Sequence, residues 1–349
     1  MNKKLIALAV AAGMAAPMVA SAEATVYGRA YAEIAMETTK PDSGDSINVR
    51  TQDDNQGHGR IGFKFNEDLG GGLSAFGKFE VQVDINDTVA AGNCERVLDS
   101  SGAKIGTTNG SAYCQRDSFV GLKGGWGAFS AGRYNGAYKT TGGVKYDPFV
   151  ATGLQARGNG GMAAGAYAQN GFVSQLIEYK TPKLGGFELQ LQYNLTDNDD
   201  DLDNNGEGDL LAGASFAINK NHEIIAAYSD SKSNENADGK SSNMKAGYKG
   251  TFGAFGVTLQ YEDAQVASQA GQYLYANGTW KMGKNLWVLG YGQTTDDEDV
   301  PGGADTTYLV IGGVYGFSKM TKLYYGYRNT DVKDVGKQDV IAVGMRQDF

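Results

Sequence analysis

The stretch that decides the fold is the last one, Val340–Phe349, which reads VIAVGMRQDF. Its side chains alternate between apolar ones, such as Met345 and Val343, and polar or small ones, such as Arg346 and Gly344. This alternation indicates a strand with one apolar face, and about ten residues are enough for a tilted strand to cross a bilayer. Ending on such a strand is typical of a transmembrane barrel, because the last strand must pair with the first.

The same alternation recurs in other segments of strand length. In Phe187–Leu195 the apolar residues stand at every second position, with Glu, Gln or Asn between them. Leu73–Ile85 and Arg60–Asn66 repeat this pattern. Each segment is therefore predicted to be a strand with one apolar and one polar face.

Short and long connections alternate between the predicted strands. Seven short and eight long connections imply sixteen strands, and short turns at one end with long loops at the other are the layout of a transmembrane barrel. The short connections are 68–72, 124–127, 183–186, 219–221, 251–253, 282–285 and 318–321. The long ones centre on 38–57, 86–114, 135–171, 197–206, 232–240, 265–270, 297–304 and 333–337. The predicted fold class is thus an all-β, 16-stranded antiparallel transmembrane barrel.

The first 22 residues have the pattern of a cleaved export signal. Two lysines precede the apolar run Leu5–Val19, and Ala20-Ser21-Ala22 forms an A-x-A cleavage site. A membrane anchor is the other interpretation, but Gly13 and Pro17 interrupt the run, which is short for a span. We therefore predict a signal peptide at 1–22 and a single barrel domain at 23–349.

The composition agrees with a barrel and disfavours some functions. The chain has 51 glycines, 20 tyrosines and only 5 prolines, which suits tightly turned antiparallel sheets with aromatic girdles. Its formal net charge of −9 argues against nucleic acid as a partner, because nucleic acid is bound by basic patches. His58 and His222 are the only histidines, and no motif places either of them in a catalytic site.

Two cysteines, Cys94 and Cys114, flank a polar segment within one predicted long loop. In an exported protein an even count suggests a disulfide, and closing such a loop is worth roughly 3 kcal/mol in the chain-entropy model. Two free thiols are the other interpretation. A zinc site is disfavoured because two ligands this far apart, with no nearby histidine, do not make one.

The first strand is predicted to have an unusual outward face. Val26, Gly28, Ala30 and Ala32 lie on that face, and small residues there allow another protein surface to approach closely. We interpret the face as a subunit contact, with plain lipid exposure as the alternative.

Several short motifs, taken together, resemble those of one known family. They are Val26–Arg29, Gly59–Lys64, Glu67–Gly72, Phe119–Leu122, Gly127–Arg133 and the terminal Phe349. The chain is similar in these segments to the Gram-negative general porins. The resemblance implies a homotrimer in the outer membrane, in contact with lipopolysaccharide and lipid, that passes ions and small hydrophilic solutes without a cofactor. It also implies that the third outer loop folds into the lumen and that Phe349 is the assembly signal.

The resemblance further implies a pore constriction with basic side chains on the wall. Arg29, Arg60 and Arg133 match the motif positions, and strand parity turns Arg29 and Arg60 toward the lumen. Phe172 stands where some relatives carry a fourth arginine. The charged residues of the inward loop are Lys139, Lys145, Asp147 and Arg157. Positive charge therefore outnumbers negative charge, and a weak preference for anions is expected unless Glu33, Glu80 or Glu178 approaches the narrowest section.

An acidic stretch contains the first half of a calcium-loop pattern in Asp201, Asp203 and Asn205. The glutamate expected at its twelfth position is Ala212, so this is a weak metal candidate. A solvated acidic outer loop, sharing divalent ions with lipopolysaccharide phosphates, is the preferred interpretation.

The predicted function is passive diffusion through an outer-membrane porin, with no enzymatic activity. One alternative is a channel selective for a sugar, a phosphate or an organic acid, using lumen aromatics such as Tyr27, Tyr31 and Phe172. The other is a secreted β-sheet adhesin or glycan-binding protein, whose two sheets would enclose a dry core.

Overall fold

A computed structural model describes residues 23–41, 46–52, 59–83, 97–98, 104–106, 115–165, 167–169, 171–195, 208–231, 242–265, 270–296 and 304–349. Strands dominate this part of the chain, together with the four-residue helix α1 (Ala137–Thr140) and a 3-10 turn at Gly143–Lys145. The strands are β1 (Glu23–Pro41), β2 (Ser46–Gln52), β3 (Arg60–Gly70), β4 (Leu73–Gln82), β5 (Val97–Leu98), β6 (Lys104–Gly106), β7 (Gln115–Gly124), β8 (Gly127–Asn135), β9 (Phe172–Lys180), β10 (Phe187–Asn194), β11 (Leu210–Asn219), β12 (His222–Asp230), β13 (Ser242–Phe252), β14 (Phe255–Ala264), β15 (Gly271–Met282), β16 (Asn285–Asp296), β17 (Thr306–Gly316), β18 (Thr321–Val332) and β19 (Gly336–Asp348).

The main sheet is antiparallel and closed. Each of its strands pairs with its neighbours in chain order, and β1 closes the circle by pairing with β19 from Arg29↔Asp348 to Pro41↔Gly336. β2 and β3 pair with successive parts of β1 and so share one position in the barrel. β5 and β6 form a separate two-stranded sheet. Sixteen positions result, which confirms the predicted 16-stranded barrel.

Alternation along each strand separates two faces, as the terminal strand illustrates. Ile341, Val343 and Met345 are about half exposed, whereas Val340 and Ala342, at the alternate positions, are buried. In a transmembrane barrel, apolar side chains that are exposed on the outer face contact the bilayer. The alternation predicted from the sequence is thus confirmed.

The predicted short connections are confirmed, whereas two of the predicted long loops contain more strand than expected. The predicted loop 38–57 contains β2, which pairs with β1. All seven predicted short connections coincide with tight links between neighbouring strands. The predicted long loop at 333–337 is wrong, because only three residues separate β18 from β19. Asp334 adopts a left-handed conformation with φ 60°, which Asp tolerates better than most residues, and the Val335 N–H donates to the Val332 carbonyl at 3.1 Å. Because this turn is tight, β18 and β19 extend into the polar residues that the sequence analysis assigned to a loop.

The last residue completes the closure of the barrel. The Phe349 N–H donates to the Gly28 carbonyl at 3.1 Å, and the Gly28 N–H donates to the Phe349 carbonyl at 2.9 Å. The Phe349 ring lies over the Gly28 Cα, in the space that a Cβ at position 28 would occupy. Glycine at 28 therefore allows the terminal aromatic ring to cover the seam between the first and last strands.

Several sequence predictions fall outside the described residues. They are the signal peptide at 1–22, the cysteines Cys94 and Cys114, His58, and the acidic residues Asp201 and Asp203 with Asn205. Within the described ranges, no group of three or more His, Cys, Asp or Glu side chains is placed to hold a metal ion. None of the helices in that part of the chain is long and apolar enough to cross a membrane.

The disulfide remains a testable prediction. We expect Cys94 and Cys114 to form an intramolecular bond, because the sequence predicts an export signal and places both cysteines in one loop. Intact mass analysis of unreduced mature protein should give a value two hydrogens below that of the dithiol. Alkylation of both cysteines without a reductant would show that the bond is absent.

Candidate functional site

Residues 136–165, 167–169 and 171, which we call the inner segment, belong to the connection from β8 to β9 and lie inside the barrel. Phe149, Leu154 and Met162 of this segment are fully buried, and they belong to one apolar cluster with wall residues. The wall members of the cluster come from β1, β12 and β15–β19: Tyr31, Ala35, Ile225, Tyr275, Val288, Tyr308, Val310, Tyr324, Val340 and Ala342. The inner segment therefore fills one side of the lumen and leaves the wall around β3, β4 and β7 facing the remaining space.

Hydrogen bonds fix the inner segment to the wall along its length. The Gly153 N–H donates to the Glu33 carboxylate at 2.8 Å, and the Tyr308 hydroxyl donates to the Leu154 carbonyl at 2.6 Å. Further bonds join Tyr138 to Glu262 at 3.0 Å, Gly143 to Gln260 at 2.6 Å and Thr294 to Gly160 at 2.9 Å. Glu33 thus serves as an anchor for the segment and is not a free charge in the lumen.

Asp147 was expected to line the constriction, but the structure places it inside the fold of the inner segment. Its carboxylate is 3% exposed and accepts hydrogen bonds from the Phe149 and Ala156 N–H groups at 2.9 and 2.8 Å. Burial raises the pKa of the Asp147 carboxyl to about 6, although these two bonds act in the opposite direction. The only acidic residue of the inner segment therefore holds a turn and does not face the solute path.

The other charges of the inner segment occupy three different environments. Arg157 is 3% exposed and donates to the Gln169 carbonyl at 2.9 Å, and burial lowers the pKa of its guanidinium to about 10. Lys145 is exposed, and the next residue, Tyr146, donates to Glu223 at 3.4 Å near a short turn. Lys139 is buried in α1, and both it and Arg157 lie near enough to Arg116 of the wall to feel its charge.

The opposite wall carries a cluster of basic residues around Glu80. Arg116 Nε lies 2.6 Å from the Glu80 carboxylate, Lys78 Nζ lies 3.1 Å from it, and Arg60 Nη1 lies 3.5 Å from it. The Tyr27 hydroxyl donates to the same carboxylate at 2.7 Å. Of the three glutamates considered from the sequence, Glu80 is the one that meets the arginines.

A second group lies beside the first on the neighbouring strands. Arg29 and Arg60 are register partners on β1 and β3. Arg29 Nε donates to Asp348 at 2.7 Å, and Arg346 Nη2 reaches the same carboxylate at 2.7 Å. We call Arg29, Arg60, Lys78, Arg116, Arg133 and Arg346 the basic wall.

Phe172 lies between the inner segment and the part of this wall that holds Arg116 and Arg133. The Arg116 guanidinium, the Lys139 ammonium and the Arg133 guanidinium lie 4.7, 4.8 and 5.7 Å from the centre of its ring, within range of cation–π attraction. Arg133 also donates to Ser174 Oγ at 2.6 Å. Burial, reinforced by Arg157 and Arg116, lowers the pKa of the Lys139 ammonium well below its ordinary value.

Sequence reasoning missed three residues of this wall, namely Lys78, Arg116 and Arg346. Lys78 and Arg346 stand on the polar faces of predicted strands, so strand parity could have found both. Arg116 gives no such signal, because it reaches Glu80 through an irregularity of the sheet. Phe79 pairs with Ser118 and Val81 pairs with Gln115, so two residues of β7 lie opposite Glu80 alone.

Comparison with known proteins identifies the family. A family model described as Gram-negative porin matches residues 7–335. The chain belongs to the Gram-negative porin family. This porin is 26% identical over 345 residues to the major outer membrane protein P.IB of Neisseria meningitidis serogroup B, strain H44/76, covering 92% of the chain and 91% of that relative. A Neisseria gonorrhoeae protein of the same name is 31% identical over 204 residues, 57% of this chain and 49% of that one.

Solved structures share the fold. The anion-selective porin from Comamonas acidovorans superimposes with a TM-score of 0.70 at 19% identity, covering 94% of this chain and all of that one. Salmonella typhi OmpF, in complex with daunomycin, gives 0.70 at 18% identity, covering 93% and 97%. With the family match, these findings make the chain an outer-membrane protein of a Gram-negative bacterium. It forms a water-filled channel for passive diffusion of ions and small hydrophilic solutes.

Proposed function

We propose that this porin is a diffusion channel with a weak preference for anions. The observation that carries the proposal is the separation of charge around the lumen. Six basic side chains lie together on one wall, where the carboxylates that contact them include Glu80, Asp117 and Asp348. The one acidic residue of the facing inner segment, Asp147, is buried.

The local charge matters more than the net charge of the chain. Charges that line a narrow channel act on each passing ion at short range, and a partly desolvated passage strengthens their field relative to bulk water. The acidic outer loops are separated from the constriction by salt solution, which screens charges beyond about 10 Å at 0.1 M ionic strength. An excess of positive charge at the constriction therefore outweighs the formal net charge of −9.

The proposal includes the assembly of the channel. The mature protein, residues 23–349, is a homotrimer surrounded by lipid and lipopolysaccharide, as the resemblance to general porins implies. The outward face of β1 supports a subunit contact, because Val26 and Ile34 are more than half exposed and small residues lie between them. The channel needs no cofactor, and it catalyses no reaction.

Replacing Arg60 and Arg133 by Ser tests the charge assignment. Each unit charge about 8 Å from a passing ion is worth about 0.5 kcal/mol in water. Losing both raises the energy of chloride and lowers that of potassium by about 1 kcal/mol each, and screening at 0.1 M salt roughly halves these values. The chloride-to-potassium permeability ratio is thus expected to fall about fivefold. The zero-current potential of purified channels in a potassium chloride gradient should shift toward that of a cation-selective pore.

The matched control removes the same charge from two exposed lysines at short turns, Lys284→Ser and Lys319→Ser. This double variant should leave the zero-current potential close to that of the wild type. A wild-type channel that already prefers cations, or a double-arginine variant with an unchanged potential, would contradict the proposal.

A further inference from the structure

Glu80 has a position unlike that of any other acidic residue described in the barrel wall. It is 1% exposed, and its carboxylate contacts three cations from three neighbouring strands: Arg60 on β3, Lys78 on β4 and Arg116 on β7. Its side chain is too short and too enclosed to meet a passing ion directly. Its influence on solutes must therefore act through the cations that it binds.

Two local features of the sheet place Glu80 among these cations. The bulge in β7 puts both Arg116 and Asp117 opposite Glu80. Because of this irregular pairing, the Arg116 guanidinium can contact the Glu80 carboxylate. Bulges commonly re-aim side chains in this way. On the other side, Gly62 leaves room for the Tyr27 ring, whose hydroxyl donates to Glu80 at 2.7 Å.

The charges of this cluster leave a small positive remainder. Arg60, Lys78 and Arg116 supply three positive charges, and Glu80 and Asp117, which lies 2.6 Å from Lys78, supply two negative ones. Glu80 is the carboxylate shared by all three cations. Neutralising it would double the net positive charge of the cluster, from one to two.

We infer that Glu80 is a specificity-determining residue, which sets how strongly this channel prefers anions by neutralising part of the basic wall and holding Arg60 and Arg116 against it. The inference rests on the proposed anion preference and refines it. The arginines supply the attraction for anions, and Glu80 limits that attraction. An anion can then leave the constriction as readily as it enters, which conduction requires.

Glu80→Gln tests this inference, because it removes the charge and keeps the shape and hydrogen-bonding length of the side chain. We expect the chloride-to-potassium permeability ratio to rise about twofold or more at moderate salt, and the rise to shrink as salt screens the cluster. The readout is again the zero-current potential in a potassium chloride gradient. Asp334→Asn, an equal charge change at the exposed β18–β19 turn, is the control and should leave the potential unchanged.

A second comparison covers the case in which Glu80→Gln alone fails to fold because it leaves cations without a counter-ion. The double variant Glu80→Gln/Arg116→Gln removes both members of the closest pair, so it leaves fewer uncompensated buried charges than Glu80→Gln alone. Its potential is expected to lie on the anion side of that of Arg116→Gln alone. If the role of Glu80 is purely structural, the double variant and Arg116→Gln should have the same zero-current potential.

The outcomes separate this inference from the proposed function. If the wild type prefers anions but neither Glu80 comparison shifts the potential toward anions, Glu80 does not set the selectivity. If the wild type prefers cations and Glu80→Gln still shifts it toward anions, the role of Glu80 holds and the proposed anion preference fails.

Discussion

Deletion of Phe349 is expected to reduce folded barrel in the outer membrane to a small fraction of the wild-type level, while export continues normally. The deletion removes both hydrogen bonds between Phe349 and Gly28 and the ring that covers the seam. Two backbone hydrogen bonds contribute about 1–3 kcal/mol in water, and in lipid the exposed groups find no water as a substitute. Folded barrel can be measured as the heat-modifiable band in detergent gels, and export by signal-peptide removal.

The structure supplies a matched variant that keeps the terminus intact. Gly28→Val puts a side chain into the space that the Phe349 ring occupies. The ring must therefore move, although Phe349 itself is still present. We expect the same direction of effect, from strain at the seam. As a control, Gly278→Val introduces the same residue on the outer face of β15, where a Cβ meets no atom within 4 Å. A deletion variant with wild-type amounts of folded barrel would show that the terminal residue is dispensable.

Much of the barrel could be predicted because its information is local. Alternation over ten residues determines which side chains face lipid, and the terminal strand shows this with Ile341 and Val343 outside and Ala342 inside. The same parity placed Arg29 and Arg60 on the inner face, and the structure puts them side by side. Turn positions followed from the short polar breaks between the alternating segments.

The constriction was less predictable because it depends on departures from regular pairing. The β7 bulge brings Arg116 to Glu80, and a second irregularity lies between β8 and β9, where Gly132 pairs with Leu176 and Tyr134 with Val173. Each shift of one residue exchanges the two faces of a strand. Parity counted along the sequence therefore fails beyond these points.

The inner segment was harder still, because its contacts are distant in the sequence. Asp147 reads as a pore-lining acid when only its type and loop are considered. Its carboxylate instead accepts two backbone N–H groups of its own segment, one of them nine residues away. Whether a loop carboxylate faces solute or backbone depends on how the loop folds, and no periodic pattern records this.

Replacing Gly292 by Val is expected to loosen the inner segment from the wall and to produce frequent current fluctuations in single channels. Gly292 lies on the inner face of β16, where an added Cβ would collide with the Gly161 Cα and lie 3.2 Å from the Gly160 carbonyl oxygen. Thr294 on the same face holds that carbonyl with a hydrogen bond of 2.9 Å. Overpacking of this kind typically costs about 1–3 kcal/mol, which corresponds to about a 5- to 150-fold larger population of the displaced segment.

The measurement compares single-channel recordings of the wild type, Gly292→Val and the outward-facing control Gly278→Val at equal voltage. Gly292→Val should fluctuate far more often, because the segment can then move away from the wall into the remaining lumen and block the current. Gly278→Val should match the wild type, since its side chain points away from the lumen and contacts nothing within 4 Å. Equal fluctuation frequencies in all three proteins would mean that the close approach of Gly292 to Gly161 does not hold the inner segment in place. The apolar cluster around Phe149 and Leu154 would then be sufficient to do so.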